Sequence, residues 1–114
     1  MAIIVKTMSS KRLVNRIINM IDQNVIDTWS YDNDGDFTHV GQWENKAWFT
    51  PEYGANEVKF ALLGRKGIDM TLMEYSVYHG RFIELLLNHF PNDIMALTVT
   101  KPLEDTSDCS RIIF

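Results

Sequence analysis

A chain of 114 residues with 46% apolar side chains can build one hydrophobic core and is too short for two ordinary domains. Its charged content of 23% and aromatic content of 11% exclude a disordered chain, which would be poorer in aromatics and richer in net charge. A net charge of −4 repels phosphate backbones and anionic membranes on average, so nucleic acid is not the default partner.

In chain order, Ala-Ile-Ile-Val-Lys (2–6) is rich in β-branched residues and stops before Ser9 and Ser10, which can cap a helix. From Lys11 on, Leu13, Ile17, Ile21 and Val25 recur every four residues beside Val14 and Ile18. Arg12, Asn15, Arg16, Asn19 and Gln23 take the opposite face, so an amphipathic helix is expected over 10–24. Residues 26–63 read as a meander of two to four antiparallel strands, punctuated by Asp34-Gly35, Glu44-Asn45 and Gly54-Ala55-Asn56. Pro51 cannot donate to a ladder, which puts its strand at an edge or ends it there. Thr71 followed by Glu74 is a capping box opening a second helix, closed by Pro91. The closing strand is Ile94–Thr100, and Pro102 starts the tail.

This order predicts an α+β fold: a ferredoxin-like split βαβ sandwich with an enlarged antiparallel meander and two helices packed on one sheet face. The first and last strands are both apolar and are expected in the sheet interior, with right-handed crossovers bringing the helices together. Residues 1–101 form the single domain, and 102–114 form a tail whose apolar end, Arg-Ile-Ile-Phe, docks as a strand or extension.

The segment Tyr31-Asp32-Asn33-Asp34-Gly35-Asp36-Phe37 is the densest acidic stretch. As a calcium loop starting at Asp32, it has Phe37 where glycine is needed and Trp43 where the bidentate glutamate is needed. Setting Gly35 at the glycine position leaves Ser30 and Gly41 at the first and last ligand positions. A two-residue β-hairpin turn on Asp34-Gly35 explains the residues better, since a type I′ turn needs positive φ at both central positions. A catalytic use would need another acid to converge on the site, Asp27 or Asp69, and no spacing selects one.

His39 is expected half-buried and hydrogen-bonded. His79 shares a helical stripe with Leu72, Tyr75, Phe82 and Leu86 and is expected at the core edge, satisfied by backbone or tyrosine. Gly80 costs about 1 kcal/mol in a helix interior relative to alanine and is read as permitting close approach of the first helix or a strand. Leu85 and Leu87 extend the apolar character of 79–90, which favours a homodimer or a partner.

Lys11, Arg12, Arg16, Arg65 and Lys66 could form a basic patch for RNA, though no aromatic is interleaved to stack bases. Gly64-Arg65-Lys66-Gly67 lacks phosphate-loop spacing. Seven of the thirteen aromatic residues, including all three tryptophans, fall between residues 29 and 53. A two-sided meander cannot bury them all, so some are expected at an exposed face, where Trp and Tyr beside acids have the composition of an interface.

Cys109 is the single cysteine, which excludes an internal disulfide and a thiolate zinc site and points to a reducing cytoplasm. No histidine adjoins it to make a nucleophile. No apolar segment approaches the roughly 20 residues that cross a bilayer, so no membrane association is expected. These features lead to a small cytoplasmic protein-binding module, an adaptor or an inhibitor of the immunity type. It would be non-enzymatic and without cofactor or metal, and would bind through Trp29, Tyr31, Asp32, Asp34, Asp36, Trp43 and Trp48. The alternatives are a metal-dependent hydrolase or nuclease built on the three aspartates with His39 or His79, and an RNA-binding domain built on the basic patch.

Overall fold

The computed structural model describes residues 2–101 and 112–113. The β-branched run Ile3, Ile4, Val5 stiffens the chain into β1 (Ala2–Lys6), with Ile3 and Val5 fully buried on one face. Ser9 then caps α1 (Ser10–Asp22) by accepting a bond from the Arg12 N–H. The helix stops short of residue 24 because Asn24 takes φ 60°, and the Val25 and Ile26 N–H groups both return to the Met20 carbonyl.

Four consecutive antiparallel strands follow: β2 (Trp29–Tyr31), β3 (Phe37–His39), β4 (Ala47–Gly54) and β5 (Glu57–Gly64). Asn45 and Asn56 supply the positive φ of the connections before β4 and before β5. Pro51 stands opposite Phe60 of β5, past the Phe37–Phe49 pairing of β3 with β4, so its missing donor faces a side with no paired strand. Next come β6 (Met70–Thr71) and α2 (Leu72–His89), whose capping box is formed in both directions between Thr71 and Glu74. β7 (Ala96–Val99) completes the main sheet, and β8 (Ile112–Ile113) pairs in parallel with β6.

The fold is α+β, with both helices packed on one face of a six-stranded antiparallel sheet ordered β2-β3-β4-β5-β1-β7. β1 is interior, flanked by β5 and β7, as its apolar composition requires. The expectation that the last strand is also interior is not met: β7 is the outermost strand among the described residues. Only Leu97 of β7 is packed against the core; Ala96, Thr98 and Val99 are exposed. Apolar composition predicts a strand, but it does not tell whether a neighbour exists on the strand's second side.

The core lies between the helices and the sheet face carrying Ile3, Val5, Phe49, Val58, Phe60 and Leu62. Phe82 of α2 is its centre, with ring centroids 4.8 Å from Phe49 and from Phe60, 5.0 Å from Trp29 and 6.0 Å from Phe37. Phe82→Ala should therefore destabilise the protein by about 3–5 kcal/mol. Met73→Ala on the exposed side of α2 should stay within about 0.5 kcal/mol, and urea unfolding of both variants measures the contrast.

Candidate interaction surface

The acidic stretch forms a hairpin tip, but not by a two-residue turn. The Gly35 N–H bonds the Asp32 carbonyl and the Asp32 N–H bonds the Asp36 carbonyl, leaving a three-residue connection with Gly35 at φ 79°. The cause is the Asp32 side chain. Its Oδ1 accepts the N–H groups of Asp34 and Asp36, both at 3.0 Å, and so stabilises the wider loop.

Carboxylate oxygens of Asp32, Asp34 and Asp36 lie within 4.8 Å of one another. Partial burial raises the Asp36 pKa above its ordinary value, a bond from Thr50 opposes the shift, and the charges of Asp32 and Asp34 add to it. One oxygen from each aspartate could hold a cation. Neither His39 nor His79 belongs to this group, and neither do Asp27 and Asp69, so the convergence that a metal-dependent hydrolase needs is not present among the described residues. The tip is tied back to the helix layer by Tyr31, which donates to Asp22 Oδ1 at 2.6 Å; that bond holds the phenol above its ordinary pKa.

The tryptophans divide by strand alternation. Trp29 is buried, edge-on to Tyr78 and Phe82, and so belongs to the core and offers nothing to a partner. Trp43 is half-buried against the core in the loop before β4. Trp48, one residue before the fully buried Phe49, turns to the sheet face away from the helices. There it stands opposite Leu63, with the Thr50–Ala61 pair next and Ile4 on β1 beyond. Two cross-strand ion pairs, Glu52–Lys59 at 3.8 Å and Lys6–Glu57 at 3.7 Å, border this face. Thr50 shares the face with Trp48 and bonds Asp36, which puts the acidic tip beside the half-buried tryptophan.

The basic residues do not assemble. Lys11 and Arg12 follow the Lys6 end of β1, whereas Arg65 and Lys66 follow the far end of β5, where Ala61 is paired with Ala2. Arg16 bonds Asp93, Arg65 bonds the buried Glu74 at 2.9 Å, and Lys11 lies 6.0 Å from the centre of the Tyr53 ring. Gly80 is likewise not a close-approach site: it faces outward on α2, and a Cβ there would meet nothing within 4 Å.

Two polar hubs tie α2 down: that of Tyr78 escapes the sequence because its partners are distant in the chain, whereas His79 bonds its neighbour Tyr75 one turn away, as its helical stripe implies. The buried Tyr78 hydroxyl donates to the Trp43 carbonyl, accepts from the Lys46 N–H at 3.3 Å, and lies 3.2 Å from the Thr38 hydroxyl. It fixes the loop carrying Trp43 to α2. His79 donates from Nδ1 to the Tyr75 carbonyl at 3.0 Å and stacks on the Tyr75 ring, while its buried Nε2 has no partner. His39 is half-buried as expected, edge-on to Trp29, but its Nδ1 is also unpartnered and burial lowers its pKa. No helix among the described residues is long and apolar enough to cross a membrane. No family model, curated protein or solved structure matches the chain.

Burial lowers the His79 pKa from 6.5 to about 4. The folded state thus favours the neutral ring, and its stabilisation is complete above the unfolded value and lost as pH falls from about 6.5 towards 4. The loss should be on the order of 3 kcal/mol. Comparing urea midpoints across that window, wild type should weaken more steeply than His79→Phe; equal slopes would contradict it. Asp32→Ala, which strands two backbone donors, should cost about 1–2 kcal/mol, whereas Asp34→Ala should be neutral or slightly stabilising by relieving repulsion, as thermal unfolding would register.

Proposed function

We propose that this chain is a non-enzymatic cytoplasmic protein-binding module that acts through the sheet face opposite its helices together with the acidic hairpin tip. The observation that carries the reading is the placement of Trp48 on that face, next to Leu63 and two residues from the Thr50 that bonds Asp36. A half-buried tryptophan with aliphatic neighbours and a rim of charges is the composition of an interface anchor. The relevant residues are Trp48, Leu63, Ile4, Asp34 and Asp36; Asp32 serves the loop itself, Trp29 serves the core, and Tyr31, paired with Phe37 on the helix side, ties the tip to Asp22. Such a surface suits a partner with an apolar cleft bordered by lysines or arginines, because the tip would supply complementary charge and speed encounter.

The test is affinity capture from cell extract followed by titration of the captured partner against wild type, Trp48→Ser and Asp34→Lys. Trp48→Ser should weaken binding by at least about 30-fold with an unchanged melting temperature. Asp34→Lys should slow association and reduce its salt dependence. A partner bound equally by all three proteins would rule out this surface.

A further inference from the structure

We infer that β7 is the contact strand of a homodimer in which two copies of the main sheet join edge to edge. The Thr100 N–H bonds the Ala2 carbonyl at 3.0 Å, and the register pairs Ile4 with Thr98 and Lys6 with Ala96. Backbone groups alternate in direction along an antiparallel strand, so residues 96, 98 and 100 bond inward to β1. Leu97 and Val99 therefore point their N–H and C=O groups outward, at an edge that no described residue pairs.

Those outward groups fit a self-complementary register. With Thr98 on the two-fold axis, Leu97 of each copy faces Val99 of the other, and every outward donor meets an outward acceptor in four backbone hydrogen bonds. On the helix side of the sheet the same register packs Leu97 against the 44% exposed Val99 of the second copy. On the opposite side it sets the two exposed threonines together, a favourable cross-strand pair.

Charge selects a second copy at this edge. The chain carries −4 overall, yet residues 94–100, Ile-Met-Ala-Leu-Thr-Val-Thr, contain no charge, so two copies meet here without like charges opposed. The opposite edge, β2, is only three residues long and leads directly into the acids of the tip. Two copies approaching there would repel. Edge strands in soluble proteins are ordinarily guarded in that manner, and among the described residues β7 is not.

Sedimentation velocity between about 1 and 100 μM tests the assignment on wild type and three variants. Val99→Pro removes an outward donor while leaving the bonds to β1, and Thr98→Glu and Thr98→Lys put like charges on the axis. Wild type should be dimeric, each variant monomeric with wild-type circular dichroism, and an equimolar Glu and Lys mixture dimeric again with one chain of each. A monomeric wild type throughout the range overturns the inference, as does a dimer that persists in Val99→Pro and Thr98→Glu. A variant that loses its fold is replaced by Val99→Lys, for which the same two outcomes decide.

Discussion

The rest of the structure depends on a cluster of aromatic rings clamped between α2 and the sheet. Phe82 is surrounded by Trp29, Phe37, Phe49 and Phe60, one ring from each of the four meander strands. Short strands such as β2 and β3 have little ladder of their own, with three residues each. It is the burial of Trp29 and Phe37 against Phe82 that fixes them to the domain. The Tyr78 hydroxyl, one turn earlier on α2, adds directional bonds to the same clamp by holding the loop between β3 and β4.

That clamp also decides which side chains remain for recognition. Strand alternation commits Phe49 to the rings and so commits Trp48 to the other face; Trp29 is spent on the core, and Trp48 is not. The acids at the tip are placed by the same logic. Phe37 anchors the base of the hairpin, Asp32 closes its loop, and Asp36 reaches Thr50 on the Trp48 face. The surface is a by-product of core packing in position and a polar construction in detail.

Much of this architecture is legible in the residues because its signals are local. The four-residue spacing of Leu13, Ile17 and Ile21 gives α1, Thr71 with Glu74 gives the start of α2, and asparagines mark the turns of the meander. What escapes is set by surroundings that the local residue pattern does not carry. Nothing within Ile94–Thr100 reveals that β1 has only one further side to offer, so the strand looks interior and stands at the edge. Gly80 invites a packing explanation, yet the helix simply turns it to solvent. The loop at Asp34-Gly35 carries a strong turn signal, but its length is settled by where the Asp32 carboxylate finds donors. Tryptophan clustering marked the right region without distinguishing the core ring of Trp29 from the half-buried Trp48 on the opposite face.

The interior position of β1, between a middle strand and the last one, shapes how the molecule must assemble. Ile3 faces Phe60 on one side and Val99 on the other, so the strand at the start of the sheet closes its ladders with residues from the middle and from the far end of the domain. Loop-closure entropy has to be met before either contact forms, which places folding among the slower, non-local topologies. On a ribosome, Ile3, Ile4 and Val5 would wait as an unpaired apolar strand until β5 had emerged, and the sheet could not be completed before β7. An early-folding α1, whose contacts are local, is the element available to shelter that strand in the interval.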